Sequence, residues 1–154
     1  NRLASNSLLE GLVFGKIAGS NAGRDSAENM ISHPNVKYKI PTSDRTRLDT
    51  ADVLNSLRAL MWRNVGITRR AQPLSEAQEI IKFWQRYEMD KIFDDKEGWQ
   101  CQNMLTTSYL MVQAAQKRKE SRGVHFRSDF TTSKDKYKRH LELSQRGVDE
   151  KVFF

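Results

Sequence analysis

The chain has 154 residues, with 26 Lys and Arg against 19 Asp and Glu, which gives a net charge of +7. This length and a hydrophobic content of 38% are typical of one globular domain with a modest core. No apolar run reaches the roughly 20 residues that span a bilayer, and the first residues lack the pattern of a signal peptide. The basic balance permits a nucleic acid, an acidic protein surface or a small anion as partner, but it selects none of them.

The cysteine and histidine content predicts no metal site. The single cysteine, Cys101, excludes an internal disulfide framework, and it lies on an apolar stripe where a buried, inert thiol is expected. The three histidines, His33, His125 and His140, do not stand at zinc-ligand spacings. A single cysteine fits a reducing compartment, so we expect a cytoplasmic location.

Residues 1–19 are predicted to form a buried helix. Cap-forming residue types at positions 5–7 (Ser-Asn-Ser) precede apolar positions that follow a helical period. Gly19 or Gly23 is expected to end this helix. Residues 20–44 are rich in Gly, Ser, Asn and Pro, and they are expected to form a surface linker between two structural units.

The start of this first helix combines two features that suit a negatively charged ligand. The N–H groups at its tip, around Ser7 and Leu8, have no acceptor within the helix and lie at the positive end of its dipole. Arg2 carries a planar guanidinium that can donate two parallel hydrogen bonds to a carboxylate. From these residues alone, an ordinary N-cap and an exposed arginine are the more common interpretations.

Residues 45–123 are predicted to form three amphipathic helices, at 45–70, 74–94 and 99–122, with Gly123 as the stop of the last. The predicted core residues stand at spacings of three and four and include three tryptophans as anchors: Val53, Leu54, Leu57, Leu60, Met61, Trp62 and Val65, then Ala77, Ile80, Ile81, Trp84, Tyr87 and Ile92, then Trp99, Cys101, Met104, Leu105, Ser108, Met111, Val112 and Ala115. Short loops between such helices indicate an antiparallel three-helix bundle, so the predicted fold class is all-α.

Local capping signals accompany the first two of these helices. Thr46 with Asp49 and Ser75 with Gln78 resemble capping boxes, in which a side chain at the helix start and one three residues later satisfy backbone N–H groups. Gly66 is the expected stop of the first bundle helix.

Residues 124–154 are predicted to form an irregular tail. Aromatic residues are spaced among many charges with little periodicity, although residues 133–145 could form a short polar helix. A segment with no core of its own is expected to lie across another surface.

A run of charged residues follows the third bundle helix and allows two interpretations. It consists of Lys117, Arg118, Lys119, Glu120, Arg122 and Arg127. The run could bind a nucleic acid, or it could be the solvated end of a helix, where cations complement the dipole. We favour the solvated end, because no interleaved aromatic residues provide a stacking platform. His125 lies nearby and could act as an acid or base, but the sequence names no positioned partner for it.

Three strings stand in a fixed order along the chain. They are NRLASNSLLEGLVFG from Asn1, MWRNVGITRR from Met61 and RKESRGVHFRSDF from Arg118. Together they resemble the C-terminal part of the L-aspartate oxidase family over about residues 1–130. The flavoprotein subunits of succinate dehydrogenase and fumarate reductase share this ancestry, but Ala4-Ser5 and the Met-Trp string favour L-aspartate oxidase. The sequence departs from the family at Thr131, where a proline is usual.

The resemblance implies a flavoenzyme that oxidises L-aspartate to iminoaspartate, the first step of NAD biosynthesis. FAD would accept the hydride, and oxygen or fumarate would reoxidise it. The resemblance also implies that Arg2 binds a substrate carboxylate and that Ser7 and Leu8 lie against the flavin ring. Residues 1–19 would be the last helix of an FAD-binding domain against which the bundle packs, and quinolinate synthase would receive the product.

The chain on its own is expected to be inactive. The family's dinucleotide-binding glycines and catalytic arginine are expected upstream, so no catalytic residue is assigned here. We therefore expect the chain to bind neither FAD nor substrate tightly and to expose apolar surface on its first helix. The alternatives are a succinate dehydrogenase or fumarate reductase flavoprotein subunit, a basic helical module that binds nucleic acid, and a docking or oligomerisation domain without chemistry.

Overall fold

The computed structural model describes residues 6–28, 46, 48–144 and 147–149. The chain divides into two compact units, residues 1–39 and 40–154. The described residues are mostly helical, which confirms the predicted all-α class. No helix within these residues is long and apolar enough to cross a membrane.

The described part of the first unit is the helix α1 (Ser7–Glu28). It begins at the predicted cap but continues through Gly19 and Gly23, so the predicted stop and the linker start at residue 20 were wrong. A glycine ends a helix where the backbone turns left-handed, and neither of these glycines has a positive φ. No residue of α1 is buried, so the predicted buried helix was wrong for this chain. Leu8 is 83% exposed, which confirms the expected exposure of apolar surface.

The second unit is built on three helices: α2 (Thr50–Val65), α3 (Ala71–Glu88) and α4 (Lys96–Lys117). Each of them packs against the other two. The buried apolar residues recur at spacings of three and four, because only one face of each helix meets its neighbours. The bundle core consists of Val53, Leu54, Leu57, Leu60, Val65, Leu74, Ala77, Ile81, Cys101, Leu105, Val112 and Ala115.

Several residues predicted for this core lie at the surface instead. Trp62 is 75% exposed, Trp99 54% and Met111 49%, and Ile80 and Ile92 are also exposed. Other predicted members, Met61, Trp84 and Met104, are partly buried against the core. Periodicity identifies an apolar stripe correctly but cannot show whether its edge meets another helix of the same bundle.

The helix starts are capped differently from the prediction. Asp49 itself is the N-cap of α2, and its Oδ1 accepts from Ala51 N at 2.9 Å, so the proposed box starting at Thr46 was wrong. The box starting at Ser75 was also wrong, because α3 begins at Ala71, four residues earlier. Local spacing alone placed both caps in the wrong position.

Glycine plays its expected part at the end of α2. Gly66 is the C-cap, as predicted, and a Cβ there would overlap the backbone carbonyl of Trp62. The predicted stop at Gly123 was wrong for α4, which ends at Lys117. Gly123 has a φ of 58° and forms a turn further along the chain, a left-handed conformation that favours glycine.

Two pairs of short strands lie outside the helices. β1 (Thr68–Arg69) pairs in parallel with β2 (Phe126–Arg127), with Thr68 opposite Phe126. β3 (Glu142–Ser144) pairs antiparallel with β4 (Gly147–Asp149). The predicted polar helix over residues 133–145 was wrong apart from one short 3-10 turn at Asp135–Tyr137. The β1–β2 pairing joins the start of the predicted tail to the connection between α2 and α3.

We expect Leu105→Ala to lower the free energy of unfolding by about 2–5 kcal/mol, because the side chain is fully buried and its removal leaves a cavity. Leu110→Ala on the same helix is the matched control, since Leu110 is 39% exposed and should cost much less. Urea denaturation measures both values. Equal losses at the two positions would contradict the observed face of α4.

Candidate functional site

The tip of α1 is the site predicted from the sequence. Ser7 is the first residue of the helix, and both Ser7 and Leu8 are exposed. Glu10 stands in the first turn, and its backbone N–H donates to Asn6 O at 2.9 Å. Arg2 lies outside the described residues, so its contact with a carboxylate stays a prediction. The contact of Ser7 and Leu8 with a flavin also stays a prediction.

A buried carboxylate stands just after α4, and sequence reasoning missed it. Glu120 is fully buried, and its Oε1 accepts from Arg118 Nη1 at 2.8 Å and from Arg122 Nε at 2.9 Å. Its Oε2 accepts from the backbone N–H of Lys134 at 2.7 Å. Burial alone would raise the pKa of Glu120, but these charge-assisted hydrogen bonds lower it to about 2.

The two arginines that bind Glu120 also donate hydrogen bonds to the segment after α4. Arg118 donates to Tyr137 O and to Arg139 O, both at 2.7 Å. Arg122 donates to Lys134 O at 3.2 Å. The segment that begins after α4 is therefore held against the bundle by cations near its own start.

A second ion pair joins this segment to two bundle helices. Arg127 is 1% exposed and grips Asp129 with two hydrogen bonds of 2.7 Å, while its Nη1 donates to Ala115 O at 2.8 Å. Asp129 Oδ2 also accepts from Ala71 N at 2.8 Å, at the start of α3. The bond to Arg127 lowers the pKa of Asp129 to about 2. Asp129 is thus the side-chain cap that α3 lacks in its own sequence.

His125 has a positioned partner that lies far away in the sequence. Arg69 Nη1 lies 2.8 Å from His125 Nδ1, and His125 Nε2 lies 3.0 Å from Arg118 O. Since a guanidinium can only donate, Nδ1 accepts and Nε2 carries the proton, which fixes a neutral tautomer. Burial and the cations Arg69, Arg118 and Arg127 lower the pKa of His125.

Arg69 completes the connection to α2. Its Nε donates to Val65 O at 2.9 Å and to Gly66 O at 3.1 Å, where the last carbonyls of that helix lack internal partners. The end of α2, the start of α3 and the end of α4 therefore all meet the same segment. This arrangement confirms that successive helices run antiparallel.

We call this set of residues the closing cluster: Arg69, Arg118, Glu120, Arg122, His125, Arg127 and Asp129. Its charged groups bind one another and the backbone groups at the helix ends, so the cluster stabilises the fold. The prediction that this charged run is the solvated end of a helix was wrong for Arg118, Glu120, Arg122 and Arg127, although Lys117 and Lys119 are exposed. The described residues contain no group of His, Cys, Asp and Glu able to hold a metal ion.

Cys101 is buried in the bundle core, as predicted. Burial, together with the negative charge of Glu88, raises the pKa of the Cys101 thiol to about 11. The thiol is therefore protonated at neutral pH, and its surroundings oppose nucleophilic chemistry.

The bundle and the segment clamped to it match a known family. Residues 54–152 match the family model described as the C-terminal region of the fumarate reductase flavoprotein. The chain therefore belongs to this family, which supports the resemblance seen in its motifs. The match begins within α2 and includes the rest of the bundle and the whole closing cluster.

The relatives that resemble this chain include flavoproteins with different names. The chain is 33% identical to the L-aspartate oxidase of Acinetobacter baylyi over 145 residues, which is 84% of this chain and 25% of that protein. It is 28% identical to an uncharacterized FAD-dependent oxidoreductase of Methanocaldococcus jannaschii, over 96% of this chain and 29% of that protein. It is 29% identical to the mitochondrial succinate dehydrogenase flavoprotein subunit of Oryza sativa, over 88% of this chain and 24% of that protein. The chain thus spans less than a third of the length of these relatives.

Solved structures show the same fold. The apo form of the Mycobacterium smegmatis Sdh1 complex matches with a TM-score of 0.67 and 24% identity, over 99% of this chain and 30% of the matched chain. The same complex with UQ1 gives the same score. At this level of identity the likeness extends to the fold alone.

We expect Glu120→Gln to lower the free energy of unfolding by about 3–5 kcal/mol, because it removes the charge that Arg118 and Arg122 share in a buried place. Asp94→Asn is a suitable control, since Asp94 is an exposed acid outside the closing cluster. Chemical denaturation at neutral pH measures both. A loss no larger than that of the control would show that the closing cluster contributes little.

We expect the stability of the chain to depend on pH through His125. Because its pKa in the folded state is below the ordinary value of 6.5, the unfolded chain binds a proton at higher pH than the folded chain does. The stabilisation is therefore complete above about pH 6.5 and decreases as the pH falls toward the folded-state pKa. Thermal unfolding between about pH 7 and pH 5.5 measures it.

His125→Gln should reduce this pH dependence, because glutamine does not titrate. His140→Gln is the matched control, since His140 is exposed and its loss should leave the dependence in place. An unchanged slope in the His125 variant would contradict the neutral tautomer assigned here.

Proposed function

We propose that this chain is the C-terminal part of an FAD-dependent L-aspartate oxidase, which converts L-aspartate to iminoaspartate with oxygen or fumarate as electron acceptor. The observation that carries the proposal is the 33% identity over 84% of the chain to the L-aspartate oxidase of Acinetobacter baylyi. The Yersinia pestis enzyme of the same name is also 33% identical over 84% of the chain. The succinate dehydrogenase subunit of Oryza sativa is 29% identical.

The residues at the tip of α1 fit a flavin. The flat ring of FAD, when bound, supplies the hydride acceptor. The first backbone N–H groups of α1 would face negative charge on the ring, and the 83% exposed side chain of Leu8 offers apolar surface to its face. Arg2 would bind a carboxylate of L-aspartate through two parallel hydrogen bonds.

The exposed apolar residues and the glycines of α1 support the proposal that another domain covers this helix. Its large apolar side chains are all at least half exposed: Leu8, Leu9, Leu12, Val13, Phe14 and Ile17. Four glycines recur at a spacing of four, and each costs roughly 0.5–1 kcal/mol relative to alanine within a helix. Such a helix gains its stability from packing, and we assign that packing to an upstream FAD-binding domain. The chain without that domain retains no FAD.

The bundle then has a structural role within the oxidase. Three of its buried polar residues, Glu120, His125 and Arg127, are committed to the closing cluster, and its cysteine is inert. We further propose that the enzyme works in the cytoplasm at the first step of NAD biosynthesis. Iminoaspartate would then pass to quinolinate synthase, the partner that we propose for this step.

A specific observation supports the main alternative. The family model bears the name of fumarate reductase, and a succinate dehydrogenase subunit covers a similar share of the chain. A flavoprotein subunit that interconverts succinate and fumarate is therefore the second candidate. A nucleic-acid-binding role has less support, because Arg118, Arg122 and Arg127 are held in partly buried ion pairs.

The test uses the longer protein that the proposal implies, purified and supplied with FAD. We expect a yellow protein that consumes L-aspartate, and we expect the 154-residue chain to be colourless and inactive. Turnover of succinate without L-aspartate would move the assignment to the alternative. A longer protein that fails to bind flavin would overturn both.

Arg2→Lys in this protein tests the substrate contact. Lysine keeps the positive charge but cannot donate two parallel hydrogen bonds to one carboxylate. The KM for L-aspartate should therefore rise by roughly 10- to 100-fold while the flavin spectrum stays unchanged. Arg24→Lys is the control, because Arg24 is an exposed arginine of α1 bonded to Asn21. Equal kinetics for the two variants would remove Arg2 from the site.

A further inference from the structure

Arg69 connects the end of α2 to the segment after α4. Its Nε donates to Val65 O at 2.9 Å and to Gly66 O at 3.1 Å. Its Nη1 lies 2.8 Å from His125 Nδ1, and its backbone O accepts from Ser128 N at 2.9 Å. One arginine therefore binds two parts of the chain, and a change at His125 reaches the last turn of α2 through it.

The contact between Arg69 and His125 exists only while Nδ1 of the histidine carries no proton. A guanidinium offers N–H groups and no acceptor, so Nδ1 must present its lone pair to Arg69 Nη1. A proton on Nδ1 would place two donors against each other at a distance of 2.8 Å. Protonation of Nδ1 and the contact with Arg69 therefore exclude each other.

The cations that surround His125 also oppose its protonation. Arg69 comes from β1, Arg118 is the C-cap of α4 and Arg127 comes from β2. All three lower the pKa of His125 through their positive charge, in addition to the effect of burial. A fourth positive charge at this place is therefore disfavoured while the three elements remain together.

The acids of the closing cluster are bound to these and other cations. Glu120 accepts from Arg118 at 2.8 Å and from Arg122 at 2.9 Å. Asp129 accepts from Arg127 through two hydrogen bonds of 2.7 Å. These carboxylates offset the charge of their own arginines, so an added charge on the histidine is most easily accommodated if the segment moves away.

The segment after α4 is attached mainly by hydrogen bonds. Every residue of the bundle core lies on α2, α3 or α4, and β1 and β2 pair over only two residues each. Regions with few buried apolar contacts open locally, at a lower free energy than the unfolding of the whole chain. Loss of the contact with Arg69 is therefore expected to open this segment before it affects the helices.

We propose that His125 is a proton-operated switch: acidification places a proton on Nδ1, releases Arg69, and opens residues 118–139 together with the last turn of α2. The opening is local and leaves the core of the three helices folded, so it differs from unfolding of the whole chain. The ligand of this site is a proton, and the response does not depend on which substrate the flavoprotein oxidises.

Amide hydrogen exchange of the 154-residue chain tests the proposal. The exchange rate divided by the intrinsic rate at the same pH gives the equilibrium constant for opening. The amides of Arg122, Ser128 and Lys134 report the segment, and the amide of Val65 reports the end of α2. Between about pH 7.5 and pH 5.5, opening at these amides should increase by roughly three- to tenfold. Opening at Leu105 in the core should not change.

His125→Asn removes the titrating group. Asparagine retains an acceptor near the position of Nδ1 but gains no proton, so the opening should become independent of pH. His140→Asn is the matched control, because His140 is exposed and its loss should leave the response in place. The change with pH decides, because a variant that only weakens the closing cluster opens more by the same factor at every pH.

Arg69→Gln tests the partner of the histidine. Without the opposing cation the pKa of His125 should rise toward its ordinary value, which an NMR titration of the ring measures. Arg70→Gln is the matched control, because Arg70 is the exposed neighbouring arginine and should leave this titration unchanged. Circular dichroism confirms that each variant is folded, and if His125→Asn does not fold, the titration of Arg69→Gln decides.

Three results would overturn the proposal. Exchange at Leu105 that increases together with exchange in the segment would show unfolding of the whole chain. Opening that does not depend on pH, or that depends on it equally in His125→Asn, would remove His125 as the sensor. Opening of residues 118–139 without a change at Val65 would show that Arg69 does not transmit it to α2.

Discussion

The buried carboxylate of Glu120 is the constraint around which the end of the bundle is organised. A carboxylate without solvent is costly unless every oxygen is paired, and here two arginines and a backbone N–H meet that requirement. The donors come from both sides of Glu120 in the sequence and from Lys134 beyond them. The segment therefore gains these bonds only when it folds back on itself as a unit.

The closing cluster also binds the backbone groups at the ends of the bundle helices. The terminal N–H and C=O groups of helices lack internal partners, and glycines or local side chains usually satisfy them. Here Arg69 donates to a carbonyl at the end of α2, and Asp129 accepts from an N–H at the start of α3. Arg127 donates to a carbonyl near the end of α4. His125 holds Arg69 in place and Asp129 holds Arg127, so the four side chains form two bonded pairs. This accounts for the concentration of charge in a stretch that would otherwise be an ordinary surface loop.

The sequence predicted what depends on local periodicity, and it failed where distant residues decide. The faces of the three bundle helices followed from spacings of three and four, as Leu57 and Leu105 show. The cap of α3 could not be predicted, because Asp129 stands 58 residues from Ala71. The partner of His125 was missed for the same reason, since Arg69 is 56 residues away. At the α1 tip, Ser7 was predicted as part of the start of a helix, but what it faces is not encoded locally.

The errors about Trp62 and Trp99 have a different physical origin. Hydrophobicity indicates that burying a side chain lowers the free energy, but it does not indicate which surface buries that side chain. Both tryptophans lie on the apolar stripes of their helices, yet the three-helix core closes without them. The same holds for the apolar residues of α1. These side chains fit a protein whose helices serve surfaces beyond their own bundle, while the closing cluster keeps that bundle rigid enough to present them.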